Sequence, residues 1–278
     1  NALIVESSQA RILIDCGVAL RPLREGLAQL DILPESIDAV FITHEHSDHI
    51  KGLKSLARQY AMPLYMTHGT AIKSGLDHLP QMNILSHFSP VVVGDLLIQP
   101  VTVPHDAREP CQFVISTQPA SDQAATKLGI LTDLGSYTPH IIESYQDCDA
   151  IILECNYDES MLQNGPYPMS LKQRVKGDWG HLSNTQAAEL LSKLQHQNIQ
   201  WLVVAHISQK NNQDLVLGAD SIIDLNGELI SKPLNRDEAL NILKKLNGKK
   251  HRLVSSVCIS KNGSMIWNYT DKAELTMK

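Results

Sequence analysis

The chain has 278 residues, 43 % of them hydrophobic, enough to bury a sizeable core in an α/β unit. Its formal charge of -6 argues against a broad basic surface of the kind that coats a nucleic-acid duplex, so any nucleic-acid contact should be local. No apolar run approaches the roughly 20 residues of a membrane span, and no signal peptide is visible. The five cysteines, Cys16, Cys111, Cys148, Cys155 and Cys258, are scattered without a C-x-x-C pair, which fits reduced thiols in a cytoplasmic protein. The chain opens on Asn1 rather than Met, which leaves room for a preceding segment.

In chain order, Leu3 to Val5 and Arg11 to Asp15 read as two short strands joined by a polar turn, with Gly17 ending the second. Helical periodicity follows from Leu20 to Leu30, where Pro22 is tolerable in a first turn. A strand, Ala39 to Ile42, leads into a polar loop and a helix from Ile50 to Tyr60, and Pro63 to Met66 reads as another buried strand. Val91 to Val93, Leu96 to Val103 and Gln112 to Ser116 form a run of strands. Leu128 to Leu131, Ile151 to Leu153 and Leu202 to Ala205 are short apolar runs, each delivering polar residues at its C-terminal end. The last is preceded by an amphipathic helix, Thr185 to Gln195, capped by Ser183 or Asn184. Beyond residue 210, Arg236 to Leu246 reads as a helix and Leu253 to Ile259 and Ser264 to Asn268 as strands. Asn226-Gly227 and Asn262-Gly263 read as hairpin turns. Hairpins first, then strands alternating with helices, predict two mixed sheets packed face to face with helices outside. A single domain over 1–278 is expected, with 213–278 as its divergent part.

The polar loop is the most informative stretch. Thr43-His44-Glu45-His46-Ser47-Asp48-His49 places three imidazoles and two carboxylates where a strand should end. Imidazole and carboxylate donors suit zinc, manganese or iron, and the thiolates of purely structural zinc sites are absent. If the chain stays extended through Thr43, His44 and His46 project to the same side and can grip one ion. Asp48 and His49, beyond the turn, would begin a second. Three further candidates end apolar runs: His105, followed by Asp106; Asp133; and His206. The expected division gives His44, His46 and His105 to one divalent ion and Asp48, His49 and His206 to the other. Asp133 would bridge them, because a carboxylate has two oxygens and an imidazole only one free lone pair.

The His-x-His-x-Asp-His motif with a later His, Asp and His resembles the metallo-β-lactamase fold of dinuclear hydrolases. That resemblance implies a four-layer αβ/βα sandwich of two mixed β-sheets with its site at the rim. Within it, the strings Leu13-Ile14-Asp15-Cys16-Gly17, Val103 to Pro110, Leu131 to Gly135, Gly180-His181-Leu182-Ser183-Asn184 and His206-Ile207-Ser208 with Asn211-Asn212 are similar to the WalJ/YycJ (VicX) branch. The likeness covers roughly residues 1 to 212. It implies a metal-dependent nuclease, with 5′-to-3′ DNA exonuclease action. Tyr157 stands where that branch commonly shows His.

His181 follows Gly177-Asp178-Trp179-Gly180 and precedes a capped helix, an open position. It also resembles the proton-donating histidine of the related ribonuclease Z, and general acid work at neutral pH suits an imidazole. The expected mechanism has hydroxide, generated between the two ions, attacking phosphorus. Asp48 would orient the nucleophile or accept its proton and His181 would protonate the leaving oxygen. Ser183, Asn211 and Asn212 are candidate substrate contacts, and Lys172, Arg174 and Lys176 could guide a nucleic-acid backbone or merely form a solvated basic face. His68, His78, His87, His140, His196 and His251 are read as surface or packing residues. The same metal pair would equally serve a small-molecule phosphodiesterase or a thioester or lactone hydrolase, and a non-catalytic metal-stabilised module is a third reading. Length and pattern leave the oligomeric state open.

Overall fold

The computed structural model describes residues 1–118, 125–194, 199–212, 216–230, 236–261 and 264–277. Where one domain is expected, the chain divides into two compact units, Asn1–Asn211 and Asn212–Lys278.

The first unit opens on β1 (Leu3–Glu6) and β2 (Arg11–Ile14), followed by α1 (Leu20–Gln29) and β3 (Ala39–Phe41). Next come α2 (Ser47–Ile50), α3 (Leu53–Gln59), β4 (Leu64–Met66), α4 (His68–Ser74) and β5 (Met82–Ile84). These strands form one sheet in the order β1-β2-β3-β4-β5, parallel except for the β1/β2 hairpin. A second sheet is built from β6 (Val91–Val93), β7 (Leu96–Thr102), β8 (Cys111–Thr117), β9 (Lys127–Leu131), β10 (Ala150–Glu154) and β11 (Trp201–Ala205). Its order is β11-β10-β9-β8-β7-β6, parallel at the β11/β10/β9 side and antiparallel from β9 to β6. Between these strands lie α5 (Pro139–Ser144), α6 (Glu159–Asn164), α7 (Met169–Lys176) and α8 (Asn184–Lys193).

The period-2 alternation of a strand decides how the first sheet is sandwiched. Ile12, Ile14, Ala39 and Phe41 share a cluster with Ile98, Phe113, Ile115 and Ile130 of the second sheet, whereas Leu13, Val40 and Ile42 join Leu23 and Leu27 of α1 and Leu53 and Leu56 of α3. Phe41 is the centre of the inter-sheet layer, stacked on Tyr65 at 4.7 Å and edge-on to Phe113 at 5.7 Å. On the second sheet, Tyr145 at the end of α5 donates its hydroxyl to the Ile130 carbonyl at 2.8 Å and lies so close to β9 that a Cβ at Gly129 would stand 2.7 Å from its ring.

The helix expected over Ile50 to Tyr60 is split at Lys51-Gly52. Gly52 donates to the Cys16 carbonyl, and a Cβ there would lie 2.1 Å from the Val18 carbonyl oxygen, so the chain crosses the β2–α1 loop too closely to continue one helix. The helix expected over Thr185 to Gln195 starts one residue earlier, capped by Ser183, and Gln195 and His196 lie outside the described residues. α4, α5, α6 and α7 lie outside the expected elements, each with too few turns for a 3.6-residue period to show, and β5 is a three-residue strand, too short for a period-2 pattern.

The second unit holds β12 (Val216–Leu225), β13 (Glu228–Ile230), α9 (Arg236–Leu246), β14 (Lys250–Lys261) and β15 (Ser264–Thr276). Its antiparallel sheet runs β13-β12-β14-β15 and has its own small core of Leu225, Ile230 and Leu246. Asn226 and Gly227, both at positive φ, close the β12/β13 hairpin as expected; Asn262-Gly263 lies outside the described residues. Among the described residues no helix is long and apolar enough to cross a membrane.

Phe41→Ala should cost about 3–5 kcal/mol of stability, because both sheets lose the ring that fills the space between them. A chemical denaturation midpoint that stays within 1 M urea of the wild type's at an unchanged m-value, a loss of roughly 1–3 kcal/mol at most, would remove Phe41 from that role.

Candidate metal centre

Strand ends place the candidate residues. His44 follows β3, Asp133 follows β9, Glu154 closes β10 and His206 follows β11, so the first sheet and the parallel side of the second deliver side chains to one rim. Three positions at this rim, Asp15, Asp133 and His206, hold left-handed backbone at φ 59°, 55° and 52°. Such a conformation costs a non-glycine residue roughly 1–2 kcal/mol, and its clustering here turns each side chain off its strand and into the rim.

The structure brings the expected residues together. Ligand atoms of His44, His46 and His105 lie within 4.8 Å of one another, as do those of Asp48, His49 and His206. Asp133 lies between the groups: its Oδ1 is 3.2 Å from His206 Nε2 and 3.9 Å from His105 Nε2, and its Oδ2 is 3.4 Å from His49 Nε2.

The hydrogen bonds behind the imidazoles decide which nitrogen faces inward. His105 Nδ1 lies 3.0 Å from the Gly180 carbonyl, which can only accept, so Nδ1 carries the proton and Nε2 the lone pair. His49 Nδ1 is 2.7 Å from Asp15 Oδ2, and His206 Nδ1 is 2.8 Å from Glu154 Oε2. The Thr43 hydroxyl, donating to Asp15 at 2.9 Å, accepts from His44 Nδ1 at 3.0 Å. His44 Nε2 and His105 Nε2 therefore converge as lone pairs on His46 Nδ1, at 3.0 and 3.3 Å. Asp133 Oδ2 is buried without a hydrogen-bond partner. The lone pairs of His44 and His105 turned to one point, together with a buried carboxylate oxygen that has no hydrogen-bond partner, make a donor set that fits a divalent metal. The Asn1 side-chain amide lies 2.9 Å from both Asp48 Oδ2 and His49 Nε2.

The electrostatics of the rim divide its rings. Burial holds the His44 ring neutral, pushing its pKa down to about 2, with the charge of His49 adding to the effect. Burial disfavours charge on His49 and His206 too, yet Asp15, Asp133 and Asp48 around His49 raise it to about 12, and Asp133 and Glu154 raise His206 to about 9. Against its own burial, Asp133 is held well below the usual carboxylate range by His206 and His49. The carboxylates thus draw positive charge into the rim.

Two residues that the sequence reading did not single out hold the arrangement. Glu154, fully buried, accepts from His181 Nδ1 and His206 Nδ1, both at 2.8 Å, from Asp133 N at 3.0 Å and, on its other oxygen, from Leu182 N at 2.7 Å. Asp15 accepts from Thr43 N and from His49. Both end apolar runs, the same signal that marked His105, Asp133 and His206.

His181 is partly buried beside a cleft of about 180 Å3 lined also by His46, Asp48, Asp133 and His206, with Leu171, Arg174 and Val175 of α7 on the opposite wall. Its Nδ1 faces Glu154, which leaves Nε2 for the cleft, and although burial opposes it, Glu154 and Asp133 raise its pKa. Its loop is fixed by Gly180: a Cβ there would lie 2.2 Å from the Arg174 and Val175 carbonyl oxygens. The expected substrate contacts Ser183 and Asn211 are not at the cleft. Ser183 is fully buried, its hydroxyl engaged in the capping box of α8 and with Glu159. Asn211 is buried against Ser208, and Asn212, also buried, begins the second unit. Tyr157 is buried and pairs with Ser183 through the backbone.

Comparison with known proteins accords with this rim. The family described as beta-lactamase superfamily domain matches residues 10–207, and the chain belongs to it. It is a hydrolase with the metallo-β-lactamase fold, whose His/Asp clusters suit divalent metal ions. The exodeoxyribonuclease WalJ of Streptococcus pneumoniae serotype 2 (strain D39 / NCTC 7466) is 31 % identical over 223 residues, 76 % of this chain and 79 % of that protein. The exodeoxyribonuclease YycJ of Bacillus anthracis is 31 % identical over 216 residues, 76 % of this chain and 80 % of that one. The crystal structure of Zn(2+)-bound PqqB from Methylobacterium extorquens shares the fold, with a TM-score of 0.60 at 18 % identity over 76 % of this chain and 77 % of that one. A second family, Maf-like protein, matches residues 150–278. The nucleoside triphosphate pyrophosphatase of Pelagibacter ubique (strain HTCC1062) is 65 % identical over 81 residues, but the chain spans only 42 % of its length.

Replacing Glu154 with Gln keeps the side chain's shape but removes the charge that two imidazoles share, so Glu154→Gln should weaken divalent-ion affinity about 10–100-fold. Competition with a chelating dye measures this. Unaltered affinity would show that Glu154 does not position the ligands.

Proposed function

We propose that this protein is a metal-dependent phosphodiesterase acting on nucleic acid, a DNA exonuclease working from the 5′ end, with two divalent ions, zinc, manganese or iron, at the rim. One observation carries the reading: the buried Asp133 carboxylate stands between two groups of ligating atoms, with Oδ2 3.4 Å from His49 Nε2 and Oδ1 3.2 Å from His206 Nε2 and 3.9 Å from His105 Nε2, an arrangement that suits a carboxylate shared by two cations. The names of the WalJ and YycJ relatives support DNA as the substrate.

His44, His46 and His105 would hold one ion and Asp48, His49 and His206 the other, with Asp133 reaching both. When bound, such ions supply positive charge for the phosphoryl oxygens and a nucleophile active near neutral pH. The chain's own residues do the rest. Asp48, the most exposed of these carboxylates, is placed at the cleft to orient the nucleophile and take its proton. His181, held through Nδ1 by Glu154, presents Nε2 to protonate the leaving oxygen, and its raised pKa keeps it charged toward neutral pH. The cleft, about 180 Å3, is below the roughly 300 Å3 of a pocket that encloses a small ligand. A small-molecule phosphodiesterase or a thioester or lactone hydrolase would use the same ions, and turnover separates the readings.

The test is metal analysis of the purified protein combined with turnover of 5′-phosphorylated and 5′-hydroxyl DNA and RNA. Asp48→Ala should abolish nucleolysis. His181→Ala should slow it about 10²–10⁴-fold while both ions stay bound. Turnover of a cyclic phosphodiester, thioester or lactone with no nucleolysis would select the other hydrolase reading, and full nucleolysis by either variant would overturn the mechanism.

A further inference from the structure

Helix α7 is the one element at the cleft that has no place in the core. None of its residues is buried, yet Leu171, Arg174 and Val175 form a wall of the cleft. A helix with no fully buried side chain derives little stability from packing, so its position rests on polar ties: the tight turn at Gly180, the Lys172 contact with the Gln163 carbonyl and an ion pair. That pair joins Arg174 Nε to Asp106 Oδ2. The other oxygen of Asp106 lies 3.6 Å from His105 Nε2 and 3.7 Å from His46 Nε2. The guanidinium is thus one carboxylate removed from the first group of ligating histidines.

Charge makes the position informative. Arg174 is the only Lys or Arg among the residues lining the cleft, whose other charged walls include Asp48, Asp106 and Asp133. Its neighbour on the helix, Lys172, is turned away and donates to the Gln163 carbonyl at 2.7 Å. The Arg174 contact with Asp106 uses Nε alone. Its two terminal nitrogens, the fork that grips a phosphate bidentately, make no hydrogen bond with the described residues. An exposed pair of this kind adds little stability, so a phosphate can take the guanidinium from Asp106 at small cost.

We infer that Arg174 binds the terminal 5′-phosphate of the substrate strand, one nucleotide from the scissile phosphate, and so gives the cleft its preference for a phosphorylated end. This rests on the nuclease reading. It deepens that reading by naming the group that recognises the strand terminus.

The test uses the metal-loaded full chain and a single-stranded phosphorothioate DNA that resists cleavage, carrying either a 5′-phosphate or a 5′-hydroxyl, with binding followed by fluorescence anisotropy. The wild type should bind the phosphorylated strand about 10-fold more tightly, the scale of one charge-assisted contact. Arg174→Ala should bring the two strands to within about 2-fold and make the salt dependence shallower by about one unit of slope, with the metal content unchanged. Arg174→Lys, which keeps the charge and loses the fork, should fall between. On cleavable DNA, KM should rise for the phosphorylated strand with kcat within a few-fold. An end preference or salt slope in Arg174→Ala equal to that of the wild type would overturn the inference and leave the nuclease reading standing. A wild type that neither binds nor cleaves DNA would overturn both.

Discussion

Imidazoles crowded at one rim turn their lone pairs to a common point only where something behind each ring fixes where its proton goes. Asp15, Glu154, Thr43 and the Gly180 carbonyl do this, each taking the Nδ1 proton of a histidine and turning Nε2 inward. Only His46 presents Nδ1 instead, completing a set of three nitrogens. Without those acceptors the tautomers would be free, and the same residues would form a polar cluster with no preferred ion. The chemistry proposed for the rim depends on this orientation more than on any single ligand.

The fold serves that orientation. Parallel strands end at the same edge of a sheet, so β2, β3, β9, β10 and β11 bring their C-terminal residues to a common line whatever lies between them in sequence. The left-handed turns at Asp15, Asp133 and His206 then direct three of those residues inward. Backbone strain at these points is offset by the well-packed sheets on either side of Phe41, which hold the strand ends in place. Glu154 joins the catalytic candidate to the ligands, since one carboxylate oxygen meets both His181 and His206. A change at that residue would therefore be felt by the proposed proton donor and the proposed ion site together.

The tail after Asn212 resembles the WalJ/YycJ branch poorly, and the structure shows why it stands apart. It has its own antiparallel sheet and its own core, and a different family matches it. A divergent stretch can be an embellishment of one domain or a separate unit, and hydropathy alone does not distinguish the two. α9 and the Asn226-Gly227 turn were legible there because a long amphipathic period and an Asn-Gly pair are local signals.

By itself the sequence determined the residue types able to bind metal, their placement after apolar runs, and the strands of the two sheets other than β5, because these follow from local periodicity and donor chemistry. It also led to an expected division of the ligands into two groups, although His44 and His46 lie beyond β3, which ends at Phe41. Tertiary structure alone decided the rest. Ser183 and Asn211, polar and close in sequence to His181 and His206, are drawn inward to cap α8 and to pair with Ser208. Glu154, marked in sequence only by closing an apolar run, becomes the fixed point of the rim, and Arg174 meets Asp106 across 68 positions. Hydrogen-bond partners distant in the chain leave no local pattern, because their pairing depends on where whole strands and helices come to rest.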